Sequence, residues 1–481
     1  MKKNNNITLV AESVLLILAL AYTDLALATK PTTSSATDPG SRPSGSTNPG
    51  AGPGGTPGPT PIDGLTPNEL SFFYDGLAQF IKVHNIADGL GPRFNLDSCG
   101  GCHSQPTIGG SSPAINPQLN VINVLNNDLP SFLKADGPVI EARFVKNADG
   151  TPDGGVHELF VISGLVDATG DASNCIITQP NFAAELSNNN VVFRIPTPTL
   201  GLGFVEMITD EALYANIATN PALKRTLNIT PRLNTTGNDG TVTRFGWKSQ
   251  NKSLLQFSGE AYNVEMGVSN DQFQNERENN TDCQFKTVPN DFQNMDALSA
   301  PNAIDAAFAA TTSSQKLANF SRFLSAPVAV DSYTDSTGLL VDSDSIARGK
   351  DQFTAVGCNE CHTPNLNTSP NASVVALAGK QIKPYSDFAL HNMGSGLADG
   401  IRQGGAQGDE FRTAPLWGIG QRHFFLHDGR SKDLTTAISA HKSGTSSNGK
   451  YPASEANFVI DKYNALSDSQ KLDLLKFLRA L

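Results

Sequence analysis

Two short motifs repeat in this chain, each with two cysteines separated by two residues and followed directly by a histidine. The first spans residues 99–103 and the second residues 358–362. Thiols at this spacing can add to the two vinyl groups of haem, and the histidine that follows can bind the iron. A zinc site or a redox-active dithiol pair is the alternative, but neither needs that histidine. The pattern predicts two covalently bound haem c groups, held by Cys99, Cys102, His103, Cys358, Cys361 and His362.

The first residues of the chain have the pattern of an export signal. Lys2 and Lys3 precede a short apolar run, and an Ala-x-Ala sequence ends at Ala28. The run is too short to favour a retained membrane helix. We therefore predict a signal peptide over residues 1–28, a periplasmic or secreted protein, and no membrane span.

Periodicity and capping signals locate the first and last helices of the folded part. Residues 29–63 are rich in Pro, Gly, Ser and Thr, which predicts a disordered tether. Thr66 and Glu69 form a capping box at the start of an amphipathic helix. A second capping box at Ser467 begins a closing helix that resembles the last helix of a cytochrome c domain.

The predicted fold is mainly α, with two cytochrome c-like haem domains. We expect an N-terminal haem domain over residues 64–335 and a C-terminal one over residues 336–481. A large irregular insert at about 115–300 would contain β-hairpins, with strand-like patterns at 139–145 and 157–162. A helix is expected near 253–262, and an insert of this kind is a natural place for a substrate pocket.

Two of the six cysteines, Cys175 and Cys283, lie outside the haem motifs. In an oxidising compartment they predict one disulfide, and two separate buried thiols are the alternative. The net charge of −11 and the absence of a long basic run argue against nucleic acid as a partner. An acidic surface instead suits a basic or neutral electron donor.

The sixth ligand of each iron separates electron transfer from catalysis, because an open iron can bind peroxide or oxygen. His441 continues the apolar face of a short predicted helix. This pattern fits an iron ligand and a hydrogen-bonded core residue equally well. His84 continues the face of the first helix, where a core histidine is favoured. The other side chains considered as ligands are His157, His391, His423, His427, Met207, Met266, Met295 and Met393.

Longer blocks of sequence around these motifs resemble a known family. They lie at residues 88–95, 244–248, 260–267, 385–394, 412–418 and 427–430. In this order they resemble the di-haem oxidoreductases described as putative peroxidases, from residue 64 to the end. The C-terminal blocks are also similar to more distant relatives, which include bacterial di-haem cytochrome c peroxidases, the enzyme that matures a tryptophan-derived quinone, and the di-haem rubber oxygenase.

The resemblance implies roles for residues near the second haem. His441 stands where the peroxidases have a methionine ligand, and the rubber oxygenase also has histidine there, so His441 becomes the expected distal ligand. Arg412 would pair with a haem propionate. His391 and His427 would lie near this haem without binding iron. The carbonyls of Thr413 and Pro415 are candidates for a Ca²⁺ ion between the haems.

The resemblance also implies that the first haem is the reactive one. A peroxidase needs an acid/base group beside the open iron and a dipole or cation that assists O–O cleavage. Glu260 and Glu265 are the candidates for this acid/base role, with Glu206 behind them. Trp247 and Tyr262 would line the pocket or carry electrons. Surface carboxylates and ordinary aromatic packing are the alternatives.

These expectations describe a periplasmic di-haem oxidoreductase with peroxidase-type chemistry. Its partner would be a small redox protein or a quinol-linked electron donor. An oxygenase that cleaves an apolar substrate is the alternative enzyme, and its pocket should be apolar and lack a distal carboxylate. A non-enzymatic electron-transfer cytochrome, with both haems six-coordinate, is the third possibility.

Overall fold

A computed structural model describes residues 36–42, 51–52, 56–125, 128–166, 171–285, 289–293 and 311–481. The predicted signal peptide and Met295 lie outside these residues. The described helices are α1 Pro67–Ile81, α2 Cys99–Cys102, α3 Gln118–Leu125, α4 Phe182–Ser187, α5 Leu202–Glu206, α6 Asp210–Ile217, α7 Pro221–Leu227, α8 Leu254–Met266, α9 Ser313–Phe323, α10 Ser343–Val356, α11 Gly394–Leu397, α12 Leu434–Ser439, α13 Asn457–Asn464 and α14 Asp468–Ala480. Within the described ranges, none of the helices is long and apolar enough to cross a membrane.

The strands are short and pair locally. They are β1 Ala51–Gly52, β2 Thr56–Pro57, β3 Arg93–Phe94, β4 Glu141–Phe144, β5 Val156–His157, β6 Phe160–Val161, β7 Val191–Arg194, β8 Tyr333–Thr334, β9 Leu340–Val341, β10 Leu366–Asn367, β11 Gln381–Ile382, β12 Leu390–Asn392 and β13 Glu410–Arg412. The predicted β-pieces of the insert are confirmed at β4, β5 and β6. Helices supply most of the regular structure, as the sequence predicts.

Helix α1 begins at the predicted capping box and packs against α9. The Thr66 hydroxyl accepts a hydrogen bond from the Glu69 amide, and the Glu69 carboxylate accepts one from the Thr66 amide. Gly76 permits the close approach of the two helices, because a Cβ atom there would lie 2.3 Å from the Lys316 carbonyl oxygen. The ring of Phe320 of α9 packs against the rings of Phe73 and Phe80 in α1.

The second motif is preceded by a helix crossing of the same kind. Helix α10 packs against the closing helix α14, and a Cβ atom at Gly349 would lie 2.0 Å from the Asp473 carbonyl oxygen. Phe477 of α14 packs its ring against Phe353 of α10. Each cysteine motif therefore follows a helix that crosses a later helix at a glycine.

A three-stranded antiparallel sheet with the order β5-β4-β7 faces the first motif from the insert. Its register places Glu141 opposite Arg194, and Arg143 opposite Val192. Because successive side chains of a strand point to opposite faces, Glu141 and Arg143 project to one side of β4. That side lines the cavity beside the first motif, which is described below.

The two cysteines outside the motifs meet in the N-terminal half. Their Sγ atoms lie 2.11 Å apart, which is the separation of a disulfide bond. Cys175 and Cys283 are both buried, and they join two segments that are 108 residues apart. The disulfide predicted from the cysteine count is therefore supported.

Part of the predicted tether, residues 36–42, lies against the C-terminal half. Asp38 makes a buried ion pair with Arg479 of α14, with 2.6 Å between Oδ2 and Nη2. It also accepts a hydrogen bond from the amide of Leu434, the first residue of α12. The amide of Arg42 donates to the Gly420 carbonyl. The prediction of disorder was based on composition, and composition does not show that a single residue such as Asp38 can form an ion pair with a distant helix.

Candidate functional site: two cavities with unlike walls

Each cysteine motif borders an internal cavity. The N-terminal cavity, of about 150 Å³, is lined by Cys99, Cys102 and His103 together with residues of β4 and α8. The C-terminal cavity, of about 230 Å³, is lined by Cys358, Cys361 and His362 together with residues of α12, α13 and α14. The two motifs thus open into two separate spaces inside one fold.

The histidine of each motif has one ring nitrogen fixed by the backbone. Nδ1 of His103 lies 2.9 Å from the Gly110 carbonyl oxygen, and Nδ1 of His362 lies 2.9 Å from that of Tyr385. A carbonyl only accepts, so Nδ1 carries the proton and Nε2 keeps a free lone pair. Burial lowers the pKa of both rings to about 4, which favours the neutral form that binds metals.

His441 shares the C-terminal cavity with His362 and has the same arrangement. Its Nδ1 lies 2.8 Å from the Ala437 carbonyl oxygen, one helical turn earlier. Burial and the charge of His441 both lower the pKa of His362. The two histidines therefore line the same cavity, each with Nδ1 held by a backbone carbonyl.

The thiols of the motifs do not have the lowered pKa values of a redox-active dithiol. Burial raises the pKa of Cys99 and of Cys358 to about 12. Reactive thiols have lowered pKa values, because the thiolate is the nucleophile. The four motif cysteines also form no disulfide. The geometry thus disfavours thiol–disulfide exchange, the alternative for these motifs.

Carboxyl groups and cations line the N-terminal cavity. Glu141 of β4 and Glu265 of α8 are in hydrogen-bonding contact, and Arg143 makes an ion pair with Glu141. Burial, and then the neighbouring charge of Glu141, raise the pKa of Glu265 well above its usual range. Burial opposes ionisation of Glu141 too, but the charge of Arg143 and the hydrogen bond from Glu265 lower its pKa. The pair therefore holds one proton, mainly on Glu265.

Comparison with known protein families identifies the chain at this point. Residues 140–481 match the family described as "Di-haem oxidoreductase, putative peroxidase". The chain belongs to this family. The match starts at residue 140, later than the expected start of the resemblance at residue 64. It includes the second motif, whereas the first motif lies before it.

Two solved structures are similar to parts of this di-haem oxidoreductase. One is a hydrazine synthase from Kuenenia stuttgartiensis, crystallised under xenon pressure, which is 18% identical with a TM-score of 0.21. That alignment covers 38% of this chain, and the chain spans 56% of the hydrazine synthase chain. The other is a MauG-like protein associated with microbial copper homeostasis, 18% identical with a TM-score of 0.25, and covering 57% of this chain and 89% of that one. Both TM-scores are too low to carry a functional argument, and no curated protein matches the chain.

The C-terminal cavity fits the haem that this family binds. Arg412 and Arg422 both line it, and within the part of the chain that the structure describes neither guanidinium forms an ion pair, although the charge of Asp387 acts on Arg412. Arg412 donates to the carbonyls of Gly246 and Thr413, and Arg422 donates to those of Pro415 and Trp417. Burial lowers both pKa values to about 10. Buried cations need anionic partners, which haem propionates would supply.

Trp247 stands in the wall that the two cavities share. It lines both of them, together with Ile195 and Pro196. Its indole Nε1 donates to the Ile195 carbonyl at 2.9 Å, which fixes the orientation of the ring. The predicted aromatic residue therefore lies between the cavities of the two motifs, in the wall that they share.

The other residues predicted for the first haem divide into two groups. Glu260, Tyr262 and Glu265 all line the N-terminal cavity, and Asn251 donates a hydrogen bond to the Glu260 carboxylate. Glu206 does not line it. The Glu206 carboxylate instead accepts from the Leu254 amide and pairs with Arg322, so it has a structural role.

The remaining histidines are held by protein groups. His391 lies between Asp387 and Glu455, at 3.0 and 2.9 Å, and has no free ring nitrogen for iron. His427 lines the C-terminal cavity and stacks on Phe411 at 4.2 Å. Met393 also lines this cavity, whereas the Met266 sulfur packs 3.9 Å from that of Cys99. His84 is bonded to Tyr262 and is a core residue, as we favoured.

The structure adds four residues that the sequence analysis missed: Glu141, Arg143 and Arg194 at the first cavity, and Arg422 at the second. The alternation of charged residues along β4 was the available signal for the first two. Arg194 and Arg422 carry no local signal, because their positions depend on packing between distant segments.

The carbonyls expected to bind Ca²⁺ do not fit that role. The Thr413 carbonyl accepts hydrogen bonds from Ser386 and Arg412, and the Pro415 carbonyl accepts one from Arg422. A guanidinium at each oxygen would repel a second cation. The geometry therefore gives the predicted calcium site no support.

Proposed function

We propose that the chain is a periplasmic enzyme with two covalently attached haem c groups, each in a cytochrome c-like unit. The two crossings of helices at Gly76 and Gly349 support two such units, and the cysteine motifs border the two cavities. When bound, haem supplies an iron that can bind and reduce peroxide, or pass electrons. His103 and His362 would be the proximal ligands.

The unlike walls of the two cavities carry this proposal. The lining of the C-terminal cavity contains His441 in addition to His362, and His441 as a second ligand would close the second iron to substrates and suit it to electron transfer. Among the described residues lining the N-terminal cavity, His103 is the one histidine, and the charged groups of the wall are three glutamates and two arginines: Glu141, Glu260, Glu265, Arg143 and Arg194. The first haem would therefore be the reactive one.

The carboxyl pair would move the protons of peroxide reduction. The ionised Glu141 can take a proton from one peroxide oxygen, while the protonated Glu265 gives one to the other oxygen, which leaves as water. The proton returns across the hydrogen bond between the two carboxyls. Arg143 would stabilise the negative charge that develops as the O–O bond lengthens.

Electrons would reach the first haem from the second through the wall that contains Trp247. A small redox protein or a quinol-linked donor would supply them. An oxygenase acting on an apolar substrate is less well supported, because its pocket should lack the carboxyl groups that line this one.

Spectroscopy of the purified protein tests the proposal. We expect one high-spin and one low-spin haem in the EPR spectrum, and a change in the optical spectrum of the high-spin haem on addition of hydrogen peroxide. Two low-spin haems that do not respond to peroxide would leave an electron-transfer cytochrome and overturn the proposed enzyme.

A further inference from the structure

A tyrosine and a histidine are hydrogen-bonded in the wall of the N-terminal cavity. Tyr262 of α8 lines the cavity, and its hydroxyl oxygen lies 2.7 Å from Nε2 of His84. The rings meet edge to face with their centroids 5.5 Å apart. Tyr262 and His84 are only 3% and 4% exposed, so the pair is shielded from bulk water.

The direction of the hydrogen bond between the two side chains is fixed by the backbone. Nδ1 of His84 lies 3.1 Å from the Lys82 carbonyl oxygen. Because a carbonyl only accepts, Nδ1 carries the proton and Nε2 is the acceptor. Burial, followed by the charge of Lys82, lowers the pKa of His84, so the ring is neutral. The phenol of Tyr262 therefore donates to an imidazole that can take its proton.

We propose that Tyr262 is a one-electron relay of the first cavity and that His84 is its proton acceptor. In this step Tyr262 loses one electron to the peroxide-oxidised haem, and its hydroxyl proton moves to Nε2 of His84. The products are a neutral phenoxyl radical and an imidazolium ion. An electron from an external donor reverses both transfers. The inference rests on the proposed function, which supplies the oxidant.

The proton transfer is what makes oxidation at this buried position feasible. Removal of an electron alone would leave a phenol cation radical, which is a strong acid. Transfer of its proton over 2.7 Å to the imidazole of His84, a far stronger base, keeps the tyrosine neutral, and the Nδ1 proton of the imidazolium faces a carbonyl. The side-chain nitrogen of Gln79 lies 3.2 Å from the Tyr262 oxygen and 3.1 Å from Nε2 of His84, so it contacts both groups of the pair and orients them.

The position of His84 gives the transferred proton an outlet. His84 lies three residues after the end of α1, and the adjacent Val83 is 64% exposed. The oxidising equivalent would stay on Tyr262, whereas the proton on His84 would lie next to the surface.

Tyr463 provides a matched control. It lines the C-terminal cavity, it is 2% exposed, and its hydroxyl has no histidine partner. A tyrosine without a proton acceptor should not form a stable neutral radical. We would compare the wild-type holoprotein with the Tyr262→Phe, Tyr463→Phe and His84→Asn variants, after optical spectra show both haems attached.

The test is rapid-freeze EPR after mixing with hydrogen peroxide. We expect a tyrosyl radical in the wild type and in Tyr463→Phe, a loss of at least tenfold in Tyr262→Phe, and slower formation in His84→Asn. Ring-deuterated tyrosine should narrow the signal. A radical of unchanged yield in Tyr262→Phe, or no radical although the haem spectrum responds to peroxide, would overturn the relay.

An unchanged haem spectrum after addition of peroxide would contradict the proposed function. In that case a photo-oxidant still tests the relay. A flash-generated ruthenium(III) complex would then remove one electron from the same holoproteins. We expect a tyrosyl radical that depends on Tyr262 and forms more slowly in His84→Asn. A yield that is equal in wild type and Tyr262→Phe would contradict the relay by itself.

Discussion

At the scale of single residues, the ring nitrogen that faces a carbonyl distinguishes the histidines. His103, His362 and His441 each bond a carbonyl through Nδ1 and line a cavity, whereas His391 has both nitrogens occupied by carboxylates. The sequence pattern of His441 fits a ligand and a core residue equally well, and the core residue His84 has the same carbonyl bond. The place of His441 in the lining of the cavity that also contains His362 favours the ligand.

Replacement of His441 by alanine tests this assignment. We expect the low-spin signal of the second haem to become high-spin, because the proposed second imidazole ligand is removed. EPR and visible spectra measure the change. His427→Ala is the control, since His427 lines the same cavity but stacks on Phe411, and it should leave the second haem low-spin. Conversion of the first haem instead would contradict the assignment.

Replacement of Glu265 by glutamine removes the shared proton of the carboxyl pair. We expect the reaction with peroxide to slow by about 10²- to 10⁴-fold, the usual contribution of a placed acid/base group. Glu260→Gln should cost less, because the Glu260 carboxylate is held by Asn251 and is not part of the pair. Stopped-flow kinetics measure both variants. Equal losses would show that the pair has no special role.

The same variant has a signature in the pH dependence of stability. Glu265 has a raised pKa in the native state, so above about pH 4.5 the native protein binds more protons than the unfolded one. The free energy of unfolding should therefore fall as pH rises towards that raised pKa. Urea denaturation of Glu265→Gln should show a smaller fall, since glutamine does not titrate. An identical pH slope would contradict the buried proton.

At the scale of elements, the sequence predicts the helices well where a cap and an apolar face coincide. The capping boxes of α1 and α14 and the helix α8 are confirmed. The sequence predicts the cysteine motif, Trp247 and the α8 residues of the N-terminal cavity, but not its β4 side. Glu141 is 124 residues from Glu265 (265 − 141), and no local pattern shows that β4 packs beside α8.

A single substitution tests the contact between α10 and α14 at Gly349. In an ordinary helix, alanine is more stable than glycine by about 0.5–1 kcal/mol. Here the Cβ atom would lie 2.0 Å from the Asp473 carbonyl oxygen, so we expect Gly349→Ala to destabilise the protein by about 1–3 kcal/mol. Thermal unfolding measures this. Gly237→Ala, at a position with nothing within 4 Å, is the control and should have little effect.

At the scale of the whole molecule, the docked segment 36–42 joins parts of the chain that are far apart in sequence. Arg479 is almost completely buried, and Asp38 is its one carboxylate partner among the described ion pairs. Burial opposes ionisation of Asp38, but the hydrogen bond and the charge of Arg479 lower its pKa. The contact is therefore present at neutral pH and lost as pH falls through that lowered pKa.

Replacement of Asp38 by alanine should release this segment. Loss of one partner from a buried ion pair costs about 3–5 kcal/mol, unless the segment undocks and water reaches Arg479. We expect a lower unfolding temperature and faster limited proteolysis before residue 64. Asp63→Ala, at an exposed position of the same stretch, should change neither. Unchanged proteolysis in Asp38→Ala would show that the ion pair does not hold the segment.

The same ion pair orders events during synthesis. Chains emerge from the ribosome N-terminus first, and Asp38 and Arg479 are separated by 441 residues. The segment can therefore dock only after both cysteine motifs have been made. Until then Asp38 leaves the Leu434 amide without this partner, and α12 lacks one of its anchors. Protection of residues 36–42 from protease would thus serve as a marker of completed maturation, after the last helix has reached its place.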